Sequence, residues 1–392
     1  MKQLFHFFAP CPRGLENVLA QELTELKAEN VQPTDGGVGF SGGMRTMMRA
    51  NLHSRIASRI LWKLAEKPYR SEEDIYRLAR DIEWPDLFAV ENTIKVNVTA
   101  VKSPLRSPEF AGLKTKDGIC DRFRLKTGSR PSVDTREPDM RIHLFLTDRM
   151  AAMYLDTSGE ALFKRGYRLD AGEAPLRENL AAGILALTGW QPGQSLYDPM
   201  CGSGTFLIEA ALKARGIAPG MRRSFAFQQF RMHNAAEWDK LRTDARAQEN
   251  KECFAIHGSD VSSTVLKHAE ANLEAAGVID TVLLKQLNVL DAKPVAESGI
   301  WLCNPPYGVR LDEKEKLAAF YPQWGDVLKQ RFAGWRAYFF TGDLDLAKKI
   351  GLKASKRTVL FNGALECRLF EYVMQAGSMR EREKPVTDNS KA

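Results

Sequence analysis

The sequence has no long hydrophobic run and no obvious secretory signal. All of its apolar segments are shorter than the roughly 18–20 residues that a membrane-spanning helix needs. The apolar stretch from Leu4 to Ala9 is interrupted by Pro10 and Pro12, and no small-residue cleavage site follows it. We therefore expect a cytoplasmic protein that does not bind a membrane.

Closely spaced cysteines are also absent. The six cysteines stand at positions 11, 120, 201, 253, 303 and 367, and no pair has the CxxC spacing of a zinc site. A disulfide framework is not expected in a chain of 392 residues. The sequence therefore predicts reduced, mostly buried thiols and no metal cofactor.

Charge is nearly balanced over the chain, but the positive residues are unevenly distributed. The Lys and Arg residues outnumber Asp and Glu by seven, and the segment from Lys102 to Arg130 alone supplies five of that excess. Such clustering is typical of a surface that binds a polyanion, although a solvated face gives the same pattern. The candidate polyanion-binding residues are Lys102, Lys114, Lys116, Arg122, Arg124 and Lys126.

The length and the patterning predict more than one domain. The first 160 residues alternate short strands and helices, as in an α+β fold. A helix is expected to open at Pro175. After it, regular strand–helix alternation predicts a parallel sheet covered by helices on both faces. The segments Arg357–Phe361 and Glu366–Met374 predict an antiparallel closing hairpin, and the polar residues 378–392 are expected to be disordered.

The strongest motif is a glycine-rich turn between a predicted strand and a predicted helix. It reads DPMCGSGT and contains Asp198, Pro199, Gly202, Ser203 and Gly204. Glycines let a backbone approach a ligand closely, and the following helix offers free amides to a carboxylate. The third glycine of a dinucleotide fingerprint and the Lys-Ser/Thr of a phosphate loop are both missing. An acid four residues before the first glycine instead suits a cofactor that carries an ammonium group.

Two further polar residues follow the next predicted strands. Asp260 ends the second strand after the glycine turn, where an acid can accept hydrogen bonds from a ribose diol, although a helix N-cap is the alternative. Asn288 follows the third strand. It can reach an adenine amine or serve only as a turn residue.

The motif NPPYG directly follows the fourth strand of this region and contains Asn304, Pro305, Pro306 and Tyr307. The two prolines fix the backbone. The Asn304 side chain and the Pro305 carbonyl group can then both accept hydrogen bonds from an exocyclic amine, while Tyr307 stacks on the base. An aromatic amine is a weak nucleophile because its lone pair is delocalised into the ring. The site therefore has to orient the amine so that its lone pair faces the sulfonium methyl group. As a bare turn, the motif would be unremarkable.

Together these motifs resemble those of class I amino-methyltransferases. The segments KRGYR (164–168), APLRENLAA (174–182) and NGALECRLFEY (362–372) are similar to those of THUMP-domain rRNA methyltransferases of the bacterial large-subunit guanine-N2 type. The resemblance covers nearly the whole chain. It implies a ferredoxin-like domain over 1–54, a THUMP RNA-binding domain over 55–160 and a Rossmann-like methyltransferase domain over 161–377.

The resemblance also implies roles for residues. Asp198, Gly202, Gly204 and Asp260 are expected to bind S-adenosylmethionine, and Asn304 to Tyr307 are expected to bind guanine in large-subunit (23S) rRNA or a pre-ribosomal particle. Asn288 departs from the aspartate that many relatives have. Some relatives carry a second methyltransferase domain, and this chain ends after the first, so a second activity is not expected.

Two other functions remain open at this stage. One is an N6-adenine DNA methyltransferase, because NPPY serves any exocyclic amine. The other is a non-catalytic RNA-binding ribosome-assembly factor. The segment Arg215–Lys251 is a secondary candidate for binding single-stranded RNA, because it combines Arg222, Arg223 and Arg231 with Phe225 and Phe227.

Overall fold

The computed structural model describes residues 4–168, 176–250, 252, 255–306 and 311–375. The predictions for Pro175, Cys253, Tyr307 and the tail 378–392 lie outside these residues. Within the described part of the first 160 residues, the elements are β1 (Phe5–Pro10), α1 (Glu16–Glu25), β2 (Glu29–Thr34), β3 (Gly37–Gly42), α2 (Met44–His53), β4 (Leu61–Pro68), α3 (Glu72–Arg80), α4 (Trp84–Leu87), β5 (Ile94–Ala100), α5 (Pro108–Thr127), β6 (Met140–Leu146) and β7 (Met150–Asp156).

These strands join one continuous sheet in the order β2-β3-β1-β4-β7-β6-β5. Only the β5–β6 pair is parallel among the pairs formed by these described strands. Strand β4 pairs with both β1 and β7, so it connects the region expected to be ferredoxin-like with the region expected to be a THUMP domain. The α+β architecture that the sequence predicts is confirmed.

The second half forms a separate sheet flanked by helices. Its elements are α6 (Glu178–Thr188), β8 (Leu196–Asp198), α7 (Thr205–Ala214), α8 (Ala235–Ala247), β9 (Ile256–Asp260), α9 (Ser263–Ala276), β10 (Val282–Gln286), β11 (Ile300–Cys303), α10 (Leu311–Arg331), β12 (Arg336–Thr341), α11 (Leu346–Lys349), β13 (Lys356–Asn362) and β14 (Leu365–Val373). The order is β10-β9-β8-β11-β12-β14-β13. Strands β8 to β12 run parallel, whereas β14 is antiparallel to β12 and β13, which confirms the predicted closing hairpin.

The basic segment forms a helix that the charge pattern did not predict. Helix α5 is 20 residues long, and its ends carry recognisable signals. The Ser107 side chain accepts a hydrogen bond from the Phe110 amide, Pro108 occupies the first turn, and Gly128 ends the helix in the left-handed conformation. Because α5 packs on α3 and β5, it lies at the edge of the first sheet, four strands from β1.

The two sheets share one hydrophobic core. A single cluster of buried side chains runs from the first sheet to one face of the second, while a smaller cluster under α10 covers the other face. At the junction α1 packs on α6, where Leu15 lies directly against Gly183. The side-chain amide of Asn179 on α6 donates to the Ile56 carbonyl group over 3.1 Å. These contacts hold the N-terminal half against the second sheet.

The described residues contain no disulfide and no helix that could cross a membrane. The five cysteines in that part of the chain are free and buried, as expected for reduced thiols. No described helix is both long enough and apolar enough to cross a membrane.

Gly118 is expected to be intolerant of a side chain because α3 packs directly against α5 at this position. A Cβ atom at this position would lie 2.6 Å from the Tyr76 carbonyl oxygen and 2.9 Å from Ala79 Cβ. We expect Gly118→Ala to lower the free energy of unfolding by about 1–3 kcal/mol, the usual cost of overpacking. Denaturant unfolding measures this loss. Gly39→Ala is the control, because the nearest atom to its Cβ would be 3.8 Å away. Equal stability of both variants would contradict the prediction.

Candidate active site

The glycine-rich turn connects the end of β8 to the start of α7. Gly202 and Gly204 both have positive φ, of 53° and 81°, which favours glycine at each position. Gly204 directly precedes α7, and a Cβ atom there would lie 3.4 Å from Ala269 Cβ on α9. The amide of Asn272, also on α9, donates to the Ser203 carbonyl group over 3.1 Å. The turn is therefore fixed by backbone conformation and by contact with α9.

Asp260 joins the ends of two parallel strands. Its Oδ2 accepts from the Gly202 amide over 3.1 Å, and its Oδ1 accepts from the Ser262 amide over 3.0 Å. The cap of α9 is Ser262, whose side chain accepts from the Val265 amide. The alternative interpretation of Asp260 as the helix N-cap is therefore wrong. Its carboxylate lies beside the glycine turn, where a ligand on that turn can reach it.

Asp198 is a buried carboxyl group without a cationic partner among the described residues. Only 2% of the residue is exposed, and its Oδ1 accepts from the Met200 amide over 3.2 Å. Burial raises the pKa of this carboxyl group well above its usual range, and the neighbouring Asp260 raises it further. A bound ammonium group would supply the missing positive charge. The site thus fits the methionine end of S-adenosylmethionine, with Asp260 available for its ribose.

Asn304 follows β11 at the same carboxyl edge of the sheet. Its Oδ1 is buried and has no hydrogen-bond partner among the described residues. Pro305 is buried next to it, whereas Pro306 is exposed. A buried acceptor without a partner costs about 1–3 kcal/mol, and a ligand with a hydrogen-bond donor would satisfy it. Tyr307 lies outside the described residues, and its stacking role stays a prediction.

Asn288 has a structural role in the turn that follows β10. Its Oδ1 accepts from the Leu290 amide over 3.0 Å, and the side chain is exposed. The turn interpretation is therefore shown by the structure. Contact with an adenine amine stays a prediction.

An internal ion pair that the sequence did not reveal supports the start of α7. The Arg168 guanidinium donates to Glu178 Oε1 over 3.1 Å and to Thr205 Oγ1 over 3.1 Å. It also donates to the Leu176 carbonyl group over 2.9 Å. Arg168 and Glu178 lie in the two segments that carry the family resemblance, KRGYR and APLRENLAA. Their pairing gives those segments a physical role, because it positions the helix that follows the glycine turn.

The six basic residues proposed for polyanion binding belong to α5 or to the loop before it. Several are ion-paired, Lys116 with Asp117, Arg124 with Asp121, and both Arg122 and Lys126 with Glu83. Lys102 is exposed, and Lys114 lies over the rings of Phe110 and Tyr76. Four strand spacings of about 4.8 Å separate the β5 edge from β1. This cluster therefore belongs to the edge of the first sheet, whereas Asp198 and Asn304 lie at the carboxyl edge of the second sheet.

The segment Arg215–Lys251 is the secondary candidate for RNA binding, and that prediction is wrong for its aromatic residues. Phe225 and Phe227 are 4% and 1% exposed, and both pack against Trp238. The Arg223 guanidinium donates to the Ala161, Ser158 and Glu160 carbonyl groups. The alternation of basic and aromatic residues reflects a small core and an anchor to residues 158–161, so these rings cannot stack on bases.

Comparison with known families agrees with this geometry. A model of the RMKL-like methyltransferase domain matches residues 165–371, more than half of the chain. The chain belongs to the RMKL-like methyltransferase family. Two further family models match the N-terminal half of this RMKL-like methyltransferase. The RlmL ferredoxin-like domain matches residues 6–61, and the THUMP domain matches residues 69–156. The predicted family, fold class and cofactor, S-adenosylmethionine, are confirmed.

Two relatives by sequence are informative. A Synechocystis protein named "Putative RNA methyltransferase" is 41% identical over 368 residues, which cover 93% of this chain and 96% of that protein. The "Ribosomal RNA large subunit methyltransferase K/L" of Shewanella baltica is 39% identical over 389 residues, covering 98% of this chain but 55% of that protein. The chain thus spans about half the length of the Shewanella relative.

Two solved structures share the whole architecture. One, titled "a putative methyltransferase complexed with SAH", has a TM-score of 0.87 and 32% identity and covers 96% of this chain and 99% of its own. A "predicted N6-adenine-specific DNA methylase" from Listeria monocytogenes has a TM-score of 0.87 and 30% identity, with 95% and 97% coverage. The names of the relatives thus disagree about the nucleic acid.

Proposed function

We propose that this protein methylates the exocyclic N2 amine of a guanine in large-subunit rRNA, with S-adenosylmethionine as the methyl donor. The observation that carries the proposal is the buried Oδ1 of Asn304, which finds no hydrogen-bond partner in the described part of the chain. It lies at the end of β11, next to the strand β8 that ends in Asp198. A hydrogen-bond acceptor at this position can bind the amine of a base that lies beside the cofactor.

The roles of the residues follow from this arrangement. Asp198 would hold the ammonium group of the cofactor and Asp260 its ribose diol, while the glycine turn allows close backbone approach. S-adenosylmethionine, when bound, supplies an electrophilic methyl group. Asn304 Oδ1 and the Pro305 carbonyl oxygen accept the two hydrogens of the amine, so that the nitrogen lone pair faces the methyl group. This is catalysis by orientation.

The base has to leave its stack before it can reach Asn304. An amine inside a duplex is inaccessible to a donor held at the edge of a sheet, so the guanine is either unpaired or flipped out. Tyr307 is proposed to stack on that base. Contacts of this kind are worth roughly 1–3 kcal/mol per base.

RNA is favoured over DNA by the N-terminal half of the chain. The THUMP match covers residues 69–156, which include α5 and its basic residues. The Synechocystis and Shewanella relatives carry the names of RNA and rRNA methyltransferases. We infer that Lys102, Lys114, Lys116, Arg122, Arg124 and Lys126 bind RNA phosphates, with Lys102 and Lys114 contributing most because the other four are ion-paired.

Methylation of defined nucleic acids tests the proposal. The full chain is incubated with radiolabelled methyl donor and with large-subunit rRNA, small-subunit rRNA or plasmid DNA, and the products are digested to nucleosides. We expect N2-methylguanosine in large-subunit rRNA. For small-subunit rRNA and plasmid DNA, we expect no more methyl transfer than the Asn304→Ala variant gives. N6-methyladenosine in DNA would overturn both the base and the substrate. RNA binding without any methylation would favour the assembly-factor alternative instead.

A further inference from the structure

The hairpin β13–β14 extends beyond the carboxyl edge of the second sheet. Its turn is formed by Gly363 and Ala364, between Asn362 at the end of β13 and Leu365 at the start of β14. A Cβ atom at Gly342, which directly follows β12, would lie 3.1 Å from Leu365 Cδ2. Since β12 pairs with both β11 and β14, the hairpin turn begins two strand positions from the segment that carries Asn304. The turn therefore forms part of the rim around the candidate active site.

Two arginines flank this turn, and each lies over a phenylalanine ring. The Arg13 guanidinium is 4.6 Å from the centre of the Phe361 ring, just before the turn. The Arg177 guanidinium is 5.1 Å from the centre of the Phe163 ring, and its Nη2 is 4.0 Å from the position of a Cβ atom at Gly363. A guanidinium stacked on a ring is ordered, yet it keeps its edge N–H groups for other acceptors.

The backbone fixes both arginines in these positions. Gly14, next to Arg13, has a φ of 92°, and a Cβ atom there would collide with the Val359 carbonyl oxygen. The loop after β1 is thereby pressed against β13. Arg177 directly precedes α6, and Gly363 has a φ of 66° in the hairpin turn.

Among the described residues, the acidic side chains nearby leave most of the positive charge of Arg13 and Arg177 available. Arg13 Nε is 3.9 Å from Asp35 Oδ1, and 60% and 91% of these two side chains are exposed. Such an exposed pair is weak. The Glu16 carboxylate accepts from the amides of Gly14 and Gly36, so its charge is used within the loop. Arg177 is exposed and forms no ion pair with the described residues.

We propose that Arg13 and Arg177 form an RNA-backbone clamp at the rim, which binds the phosphates beside the target nucleotide. This inference rests on the proposed function. The basic residues of α5 lie at the β5 edge of the first sheet, four strands from β1, whereas Arg13 lies in the loop after β1 and contacts the hairpin of the second sheet. The clamp supplies positive charge at that place, and Arg13 brings the N-terminal half into contact with the same RNA.

The test measures RNA affinity as a function of salt for Arg13→Gln, Arg177→Gln and the double variant, using a large-subunit rRNA fragment that the wild type methylates. Each lost phosphate contact is expected to reduce the slope of log K against log salt by about 0.7–0.9. Affinity for S-adenosylmethionine, measured by calorimetry, is expected to stay unchanged. Lys329→Gln is the control, because it removes one exposed positive charge from the last turn of α10, at the opposite edge of the sheet.

The possible results separate the clamp from the proposed function. If the wild type methylates the fragment but the double variant keeps the wild-type slope, the clamp is refuted and the function stands. If Lys329→Gln reduces the slope as much as Arg177→Gln, binding follows net charge, which also refutes the clamp. If the wild type methylates no RNA, the proposed function fails first. A fall in cofactor affinity would show that the arginines act on the cofactor site instead.

Discussion

Replacing Asp198 with asparagine is expected to weaken S-adenosylmethionine binding about ten- to hundredfold and to stabilise the ligand-free protein. The loss follows because a charge-assisted hydrogen bond contributes roughly 1.5–3 kcal/mol, and asparagine has no charge to offer an ammonium group. The gain follows because the buried carboxylate has no cationic partner among the described residues. Asparagine keeps an oxygen for the Met200 amide.

The predicted stabilisation by Asp198→Asn can also be tested through the pH dependence of stability. Burial raises the pKa of Asp198 above the value that it has in the unfolded chain. Between those two values the folded state holds more protons than the unfolded state, so the free energy of unfolding falls as the pH rises. In Asp198→Asn this decline is expected to be smaller. Thermal unfolding with and without S-adenosylmethionine over pH 5 to 8 measures both effects.

Asp156 offers a matched control, because the pKa of its carboxyl group is shifted in the opposite direction. It is also fully buried, but the nearby His143 ring, the charge of Arg59 and the hydrogen bond from the Ser158 amide together outweigh burial and lower the pKa of its carboxyl group. Asp156→Asn is therefore expected to lower the melting temperature, whereas Asp198→Asn raises it. Unchanged cofactor affinity in Asp198→Asn would refute its binding role. A lowered melting temperature would show that Asp198 is already stabilised as a carboxylate without ligand.

The sequence predicted the second sheet well because its local signals agree with its topology. Alternating strands and helices, a glycine turn after β8 and an Asn-Gly hairpin each have one compact solution. Asp198 and Asp260 end β8 and β9, and Asn304 directly follows β11. The carboxyl ends of these three parallel strands share an edge. That part of the site could therefore be assembled from the sequence without coordinates.

Features that depend on distant contacts could not be predicted in this way. The sequence shows the cluster on α5 only as an excess of positive charge, and the structure shows that Glu83 pairs with two of its members. Phe225 and Phe227 suggested a binding surface, yet they pack against Trp238 in a local core. The stacking of Arg13 on Phe361 joins residues almost 350 positions apart. Local pattern carries no information about such partners.

Replacing Asn304 with alanine is expected to lower the methylation rate on the order of a hundredfold, while binding of both ligands changes little. Orientation of the amine matters most in the transition state, and misplacement of a reacting group by about 1 Å costs roughly that factor. Because Oδ1 has no partner among the described residues, its removal breaks no hydrogen bond of the described fold. Single-turnover methylation of large-subunit rRNA fragments, beside equilibrium binding of RNA and S-adenosylmethionine, separates rate from affinity.

Two further variants distinguish alignment of the amine from a general disturbance of the site. Asn304→Asp keeps an acceptor at the same position and is expected to retain more of the rate than Asn304→Ala. Asn272→Ala removes the amide that donates to the Ser203 carbonyl group, so it should weaken cofactor binding instead. Wild-type turnover in Asn304→Ala would remove the alignment role. Equal losses in Asn304→Asp and Asn304→Ala would show that the site needs the asparagine NH₂ group, and the amine would then be held in another way.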